Sequence, residues 1–368
     1  MIEIQGAYNS AKVFTDNIEH ETMAQIYNLL NQEFIKGSKI RIMPDTHAGM
    51  GCVIGTTMTI TDKIVPNLVG VDIGCGMETV LLEDERVDLH KLDRAVHEHV
   101  PSGFDTRKKI HHYMDEVDLS SLRCAKCINM ERAHLSMGTL GGGNHFIELG
   151  KDDDGKLYLV VHSGSRNLGK QVCEYYQKAA ADGLGRVGKG ADRVLAYLEG
   201  VLFDDYLHDM AIVQKYAELN RRAIVREITK EMKFKIAESF TTTHNYVDID
   251  SMILRKGAIS ANEGERVLIP MNMRDGSLVC IGKGNADWNY SAPHGAGRLM
   301  SRSAAKSKIT LTQFEKSMEG IYSSTINRST IDEAPFAYKP MEEIVAHIGE
   351  TADIIATVKP LYNFKAAE

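Results

Sequence analysis

The sequence predicts an α+β fold in which strand-rich segments flank a long helical block. The first 80 residues alternate short apolar, β-branched runs with glycine, whereas residues 201–256 contain no glycine. Short apolar runs return after residue 266. A chain of 368 residues, 43% hydrophobic and 25% charged, is typical of a globular protein and excludes disordered, collagen-like and coiled-coil classes.

Strands and one helix are predicted in the first half of the chain. Residues 40–43, and the run KIVPNLVGVDIG within residues 63–77, are apolar and bounded by turn residues, which predicts buried strands. Residues 89–100 have helical spacing, with Asp88 as the predicted N-cap and Pro101 after the last turn. The run YLVVH at residues 158–162 predicts another short buried strand.

A helical subregion is predicted from about residue 168 to residue 240. Within residues 201–235, apolar residues recur every three or four positions, which indicates an amphipathic helix or helix pair used for packing. Strands are then predicted at residues 267–270 and 277–282, followed by a polar loop and a helix over residues 298–306. Because no repeat or linker divides these segments, we expect one interwoven domain spanning residues 1–368.

Nothing in the sequence indicates a membrane or a secretory route. No stretch approaches the 18 or so apolar residues of a membrane span, and the first residues lack the pattern of a signal peptide. We therefore expect a cytoplasmic protein without a membrane partner. Its six cysteines are expected to be free thiols or metal ligands. Cys124 and Cys127 form one CxxC pair, but no second pair completes a structural zinc site, so a metal or redox role there stays open.

Charge is distributed unevenly along the chain. The formal net charge is −7, which does not favour non-specific electrostatic binding of nucleic acid. Between residues 254 and 310, however, nine lysines and arginines face only four acidic residues. This basic segment is compatible with a phosphate-rich ligand at a restricted site, although a solvated charged face is the more common meaning of such a run.

Five residues in glycine-rich or polar loops are candidate metal ligands. Asp72 and Cys75 lie three residues apart in GVDIGCGM, where glycines permit unusual backbone angles. His145 follows a triple glycine, His162 ends the strand YLVVH, and His244 follows three threonines. This mixed set of nitrogen, oxygen and sulfur donors is enough for two metal ions, and it leaves Zn, Fe, Mn and Ni open. The alternative is a set of separate buried histidines.

His294 occupies a different kind of loop. It lies in SAPHGAGRLMSR, within the basic segment, with Arg298 and Arg302 following at helical spacing. A histidine there either contacts phosphate or takes phosphorus onto a ring nitrogen as a nucleophile. A nucleophilic imidazole must be neutral and needs a partner on its other nitrogen. Asp45, in the predicted loop MPDTHAG, is the candidate for that partner.

Seven motifs in order give the chain a recognisable likeness. They are PDTHAGMG, VGVDIGCGM, GTLGGGNHFIE, HSGSRNLG, TTHN, RKGA and PHGAGRLMSR. Together they resemble the RtcB family of RNA ligases from about residue 43 onward. The resemblance implies one domain with mixed sheets around a central metal cleft. It also implies a GTP- and Mn²⁺-dependent joining of RNA 3′-phosphate or 2′,3′-cyclic phosphate ends to 5′-hydroxyl ends, in tRNA processing or RNA repair.

The resemblance also assigns roles by motif. It implies two Mn²⁺ ions bridged by Cys75, and a GMP linked covalently to His294. Phosphate or RNA contacts fall to Arg166 and Arg298. The ligands implied for the metals are Asp72, Cys75, His145, His162 and His244, and those for the guanine nucleotide are Asn144, Glu148, His294, Gly295, Gly297 and Lys365.

One segment departs from the family pattern. Where the family usually has Pro-Gly-Ser-Met-Gly before the nucleophile, this chain has a longer, polar and charged sequence from Pro270 to Gly276. The departure makes strict GTP preference an open question and suggests a divergent, bacterial-type branch that serves RNA repair. Two alternatives remain. One is a metal-dependent 2′,3′-cyclic phosphodiesterase or 3′-phosphate guanylyltransferase that does not complete ligation, and the other is a non-catalytic RNA-binding subunit.

Overall fold

The computed structural model describes residues 1–184 and 193–366. In chain order its strands are β1 (Ile2–Gln5), β2 (Ser10–Val13), β3 (Ile40–His47), β4 (Ile54–Thr59), β5 (Lys63–Ile64), β6 (Gly76–Leu82), β7 (Phe146–Lys151), β8 (Leu157–Ser163), β9 (Leu198–Glu199), β10 (Ile236–Thr243), β11 (Asn245–Asp248), β12 (Ile253–Lys256), β13 (Ala258–Ser260), β14 (Arg266–Asn272), β15 (Gly276–Gly282), β16 (Ser291–Pro293) and β17 (Ala352–Lys365). Its α-helices are α1 (His20–Leu30), α2 (Pro66–Val69), α3 (Leu89–His99), α4 (Met130–Ser136), α5 (Arg166–Leu184), α6 (Val201–Met232), α7 (Arg302–Lys308), α8 (Leu311–Ser317) and α9 (Met341–Ile348).

Two large sheets organise the fold. One has six strands in the order β1-β2-β3-β4-β12-β11, and its β2–β3 pair is parallel while the other pairs are antiparallel. The other has seven antiparallel strands in the order β10-β6-β8-β7-β17-β15-β14. Since β12 joins β4 from almost 200 residues further along the chain, the segments before and after the helical block are interwoven. The predicted α+β class is confirmed.

The predicted helices and strands are found at several of the expected positions. Asp88 caps α3, because its side chain accepts a hydrogen bond from the Lys91 N–H. The glycine-free segment forms the 32-residue helix α6, which packs against both α3 and α5. The run YLVVH lies inside the fully buried strand β8.

The helical subregion has different bounds from those predicted. Helix α5 begins at Arg166, α6 ends at Met232, and residues 236–243 form β10. Lys233 adopts a left-handed conformation at the C-cap of α6, which turns the chain out of the helix and into that strand. Residues 185–192 of the predicted subregion lie outside the described residues.

Three local predictions are wrong. The run KIVPNLVGVDIG forms the two-residue strand β5 and then the one-turn helix α2, because Pro66 at its first position favours a helical turn. Arg298 lies outside any helix, since Ser301 caps α7 and the helix begins at Arg302. Asp45 belongs to strand β3 and not to a loop.

Several apolar cores fill the space around the sheets. The largest lies under the six-stranded sheet and includes Ile26, Val65 and Tyr206, while a second packs α3 and α6 on the seven-stranded sheet. Within residues 1–184 and 193–366, no helix combines the length and apolarity that a bilayer crossing requires. The cytoplasmic location stays a prediction.

Candidate active site

A cleft of about 320 Å³ lies where the two large sheets approach each other. His47, at the end of β3, lines it from the six-stranded sheet, and Met77 and Glu148 line it from the seven-stranded sheet. The loop that carries His294 closes a third side. The cleft therefore gathers residues from distant parts of the chain, including most of the candidate ligands.

Asp72, Cys75 and His145 form one group of ligand atoms on the cleft wall. Their donor atoms all lie within 4.8 Å of one another. Asp72 Oδ2 is 3.0 Å from His145 Nε2, and its other oxygen accepts hydrogen bonds from the backbone and hydroxyl of Ser165. A side chain at Gly164 would place its Cβ 2.1 Å from the Asp72 carboxylate, so glycine is required there. The carboxylate is thus held in one orientation.

Cys75, His162 and His244 form a second group within the same 4.8 Å limit. Cys75 Sγ lies 3.3 Å from His162 Nε2 and 3.4 Å from His145 Nε2, so the thiol belongs to both groups. His145 and His162 each turn Nδ1 toward a backbone carbonyl, those of Leu140 and Asn144 respectively. Such bonds place the proton on Nδ1 and leave Nε2 free as a ligand atom.

The electrostatics of these groups suit a bound cation. Burial lowers the pKa of His162 and of His244 well below the usual value, so both imidazoles are neutral near pH 7. Burial opposes ionisation of Asp72, but the contact with His145 holds its pKa below the usual range. Burial and the Asp72 charge raise the pKa of the Cys75 thiol, and a bound cation would reverse that effect. The nitrogen, oxygen and sulfur donors fit transition metal ions.

Helix α6 fixes the loops that carry these ligands. Arg221 is buried and donates to the backbone carbonyls of Gly74 and Ser163, next to two of the ligands. Asn220 donates to Gly164 and Thr139 and accepts from two further backbone N–H groups. Sequence reasoning assigned this helix only a packing role. The available signal was the pair of polar residues on an otherwise apolar helical stripe.

His294 forms a hydrogen-bonded pair with Asp45. Asp45 Oδ2 lies 2.6 Å from His294 Nδ1 and also accepts a bond from the His294 backbone N–H. Asp45 is fully buried, whereas the His294 side chain is 18% exposed on the cleft. Gly297 makes this approach feasible, because it has φ of +77° and a Cβ there would fall 2.2 Å from the Asp45 backbone oxygen. The predicted pair therefore meets in space, although 249 residues separate its members.

His47 is a cleft residue that received no role from its sequence. Its Nδ1 lies 3.0 Å from the Asp45 backbone oxygen, and burial lowers its pKa to about 4. The ring is therefore neutral near pH 7. Its position two residues after Asp45 on β3 was the available signal.

Glu148 and Lys365 line the cleft from neighbouring strands, β7 and β17. Glu148 is 2% exposed, and burial raises its pKa to about 8. One of its oxygens accepts from Asn363, while the other has no partner among the described residues. Lys365 donates to Glu333 and to the Asn144 carbonyl. A buried carboxyl oxygen without a partner, beside a lysine, suits a ligand that carries both N–H donors and a carbonyl group.

Glu333 is a second residue that the sequence reasoning missed. It is buried and contacts Lys365, Arg298 and Arg302. Burial opposes ionisation of Glu333, but Lys365 and Arg302 lower its pKa to about 2. Glu333 thus links Lys365, which lies near Glu148, to the two arginines that follow His294 in the sequence. The residues next to Glu333 in the sequence form no motif that would indicate a functional role.

Arg166 lies apart from this network. Its backbone has φ of +57°, and its side chain donates to Thr139 Oγ1 and to the Gly103 carbonyl. The arginine lines a second cavity, of about 680 Å³, which Asp72 and His145 also line. Arg298, in contrast, lines the first cleft. The two predicted phosphate contacts therefore serve different cavities.

The segment from Pro270 to Gly276 forms a tight hairpin and not an extended loop. Strand β14 continues to Asn272 and β15 begins at Gly276. Arg274 and Asp275 form an ion pair with each other, while the buried Met271 and Met273 line the cleft. The divergent segment therefore lines the cleft with two methionines and with Asn272, while its two charged side chains pair with each other. Gly295 approaches the base of this hairpin, since a Cβ there would lie 3.2 Å from the Pro270 carbonyl oxygen.

The CxxC pair lies away from the cleft. Cys124 is buried and Cys127 exposed, and both are free thiols. Within the described ranges, neither belongs to a group of side chains that could hold a metal ion. The backbone N–H of Cys124 donates instead to the buried Asp209.

Comparisons with known proteins agree with the motifs. A family model described as tRNA-splicing ligase RtcB matches residues 25–128 and 123–366. The RNA-splicing ligase RtcB of Escherichia coli K12 is 31% identical, over 95% of this chain and 95% of its own length. A tRNA-splicing ligase RtcB of Aeropyrum pernix is 29% identical over 93% and 91%, and an RNA-splicing ligase RtcB of Mycobacterium bovis is 27% identical over 87% and 95%.

Proposed function

Because this chain belongs to the RtcB family and is an RNA ligase, we propose that it joins RNA 3′-phosphate or 2′,3′-cyclic phosphate ends to 5′-hydroxyl ends through a guanylylated His294. The family membership excludes the non-catalytic alternative. It leaves the nucleotide, the metal and the RNA ends as parts of the proposal. The cellular role we propose is RNA repair, with tRNA as one substrate class.

The observation that carries the proposal is the pair formed by His294 and Asp45. The Asp45 carboxylate accepts a hydrogen bond from the Nδ1–H of His294, so in the neutral ring the free lone pair lies on Nε2. Within the described residues Nε2 has no hydrogen-bond partner, and the ring faces the cleft. Such an imidazole is oriented toward the cleft, and in its neutral form it can act as a nucleophile toward phosphorus.

Two metal ions are part of the proposal, with Cys75 as their shared ligand. Asp72 and His145 would complete one set of protein ligands, and His162 and His244 the other. Imidazole and carboxylate donors suit Mn²⁺, the ion we propose. When bound, the ions supply positive charge that stabilises negative charge on the phosphate groups during transfer.

The reaction we propose proceeds in three displacements. His294 Nε2 attacks the α-phosphorus of GTP, a bond to GMP forms, and pyrophosphate leaves. Asp45 stabilises the positive charge that then develops on the ring through its bond to Nδ1. An oxygen of the RNA 3′-phosphate next displaces His294 and takes the GMP. Finally the 5′-hydroxyl oxygen attacks the activated 3′-phosphate, loses its proton, and GMP leaves. A 2′,3′-cyclic end is first opened by water.

Guanine is proposed to bind between Glu148 and Lys365. The ionised carboxylate would accept from the guanine N–H groups, and the ammonium group would donate to the guanine carbonyl. Adenine has an amino group where guanine has its carbonyl group, and an unprotonated N1 where guanine has N1–H, so it would match neither Lys365 nor Glu148. The methionines of the hairpin and the glycines of the His294 loop would contact the rest of the nucleotide.

Label transfer from nucleotide to protein tests the function directly. The protein is incubated with Mn²⁺ and α-³²P-labelled GTP or ATP, denatured and resolved on a gel. We expect acid-labile label from GTP in the wild type and none in His294→Ala. Label from ATP would contradict the guanine assignment. Absence of label from either nucleotide, in protein shown to contain metal, would overturn the nucleotidyl transfer step.

A second assay separates ligation from the remaining alternative. Guanylylated protein is mixed with RNA that ends in 3′-phosphate and RNA that begins with 5′-hydroxyl. We expect a joined product. Accumulation of RNA capped with GMP, or of opened 2′,3′-cyclic ends without joining, would instead indicate the guanylyltransferase or phosphodiesterase that the sequence left open.

A further inference from the structure

The second cavity adjoins the metal-ligand groups, and His294 does not line it. It shares Asp72 and His145 with those groups, and Asp72, Asn144 and Arg302 with the first cleft, but it contains neither Cys75 nor His294. Four cationic side chains line it, against the carboxylates of Asp72 and Asp105; one of the arginines also pairs with Asp332 and Glu333, and the lysine pairs with Glu174. The cationic residues are Arg132, Arg166, Lys170 and Arg302. A strand lying in this cavity would reach the ligand groups without crossing the nucleotide cleft.

Phe104 lies at this cavity and is 82% exposed. It is the most exposed of the large apolar side chains in the described part of the chain. Phenylalanine is normally buried, because its transfer from water into the core is strongly favourable. An aromatic ring in solvent beside a cationic cavity offers a face on which a ligand in that cavity can stack.

The backbone beneath Phe104 is tied at several points. Arg132 Nη2 donates to the Phe104 carbonyl, and Arg166 Nη2 donates to the carbonyl of Gly103. The Gly103 N–H donates to Gly141, and the Asp105 N–H closes a turn onto Ser102. The ring is thus presented by a fixed turn that two of the cationic residues themselves hold. This reduces the entropy cost of binding a ligand against the ring.

We propose that Phe104 is a stacking platform for the base of a nucleotide at a reacting RNA end, while the surrounding arginines and lysine contact the adjoining phosphates. This rests on the proposed function, since it assigns a subsite to its RNA substrate. Aromatic rings beside a cationic groove are the combination by which proteins hold single-stranded nucleic acid. A base inside a helix has both faces covered by its neighbours, so the platform requires a base at a strand end with one face free.

Substitution of Phe104 tests the platform. We expect Phe104→Ala to raise the KM for ligated RNA about tenfold with little change in kcat, in line with alanine substitutions of stacking residues. Phe104→Trp keeps an aromatic face and should keep the wild-type KM. Tyr27→Ala is the matched control, because Tyr27 is an exposed aromatic residue on α1 that lines neither cavity. Its KM should equal that of the wild type.

Abasic substrates identify the base that stacks. The KM of each protein is compared for RNA with an intact or an abasic terminal nucleotide, placed on the 3′-phosphate strand or the 5′-hydroxyl strand. On the strand that uses the platform, the abasic change should erase the difference between wild type and Phe104→Ala. An equal KM for both proteins on intact RNA would overturn the proposal. The proposal would also be overturned if Phe104→Ala raised the KM for both abasic substrates by the same factor as for intact RNA.

Two further measurements separate this proposal from the proposed function. Labelling of His294 by GTP should be unchanged in Phe104→Ala, because Phe104 lies outside the nucleotide cleft. If the wild type itself shows no labelling, the proposed function fails while the platform stays testable by fluorescence anisotropy of a labelled single-stranded RNA. Weaker binding of intact RNA by Phe104→Ala, but not by Tyr27→Ala, would then support the platform, and equal binding would refute it.

Discussion

Replacing Asp45 by asparagine removes one charge from the buried pair and keeps its shape. Asp45 Oδ2 accepts from both Nδ1 and the backbone N–H of His294, and Asp45 Oδ1 has no partner among the described residues. The asparagine amide has two orientations in this space. In one orientation its NH₂ group faces the two N–H donors of His294, which is unfavourable. In the other, the NH₂ group takes the place of Oδ1. We therefore expect the amide to keep its oxygen toward His294.

The expected loss of rate follows from the remaining contacts. A hydrogen bond to a charged group contributes about 1.5–3 kcal/mol, and a neutral amide oxygen recovers only part of it. The amide nitrogen, placed where Oδ1 was, is also left without an acceptor, which costs about 1–3 kcal/mol in the folded protein. Because the ring gains positive charge during attack, we expect the lost charge to slow guanylylation by about 10- to 100-fold.

Single-turnover labelling with saturating GTP and Mn²⁺ measures this rate constant. Asp209→Asn is the matched control, since Asp209 is also fully buried but accepts from Tyr176 and from the backbone near Cys124. We expect the control to lower the melting temperature and leave the labelling rate of folded protein unchanged. A rate for Asp45→Asn within about threefold of the wild type, at equal metal content, would refute the role assigned to the pair.

Three other perturbations have defined outcomes. Cys75→Ser should weaken Mn²⁺ binding by at least about 100-fold, more than loss of an outer-sphere partner does, as measured by calorimetry. The raised pKa of Glu148, about 8, predicts that GTP affinity increases with pH up to about 8, because the neutral carboxyl must ionise to accept guanine N–H groups; Glu148→Gln should abolish this dependence. Gly297→Ala should lower the free energy of unfolding by more than the 1–3 kcal/mol or so of left-handed strain alone, because its Cβ would meet the Asp45 backbone oxygen at 2.2 Å.

Each of these outcomes has a matched comparison. Cys280→Ser replaces another buried free thiol, so a metal affinity equal to that of Cys75→Ser would contradict the ligand assignment. A GTP affinity that is constant between pH 6 and pH 8 in the wild type would remove the role given to Glu148. Gly320 also has positive φ, but nothing lies within 4 Å of its Cβ position. If Gly320→Ala and Gly297→Ala destabilise the protein equally, the steric part of the argument is wrong.

Local signals in the sequence were sufficient for much of the fold and for the candidate ligands. Capping by Asp88 depends only on residues within one helical turn, and the period of α6 is repeated over 32 residues. The five ligand candidates were identified because glycine and polar residues surround each of them. All five lie in the two groups that share Cys75. Their roles in metal binding stay predictions.

Long-range contacts could not be predicted in the same way. The pairing of β4 with β12 depends on which sheet edges remain free after folding, and no local pattern records that. Glu333 acts through partners that are far away in the sequence, so nothing in its neighbourhood marks it. Asp45 was associated with His294 on the character of its surroundings alone, and those surroundings turned out to be a strand.

The position of β17 has a consequence for synthesis of the protein on the ribosome. This strand comes last in chain order, yet it lies between β7 and β15 inside the seven-stranded sheet. Until residues 352–365 emerge, both neighbours have an unpaired edge, which exposes a nascent chain to wrong pairing. Because Lys365 lies on β17, the cleft that contains His294 is also incomplete until then. A chain released too early would therefore present its metal ligands without the lysine proposed to recognise guanine.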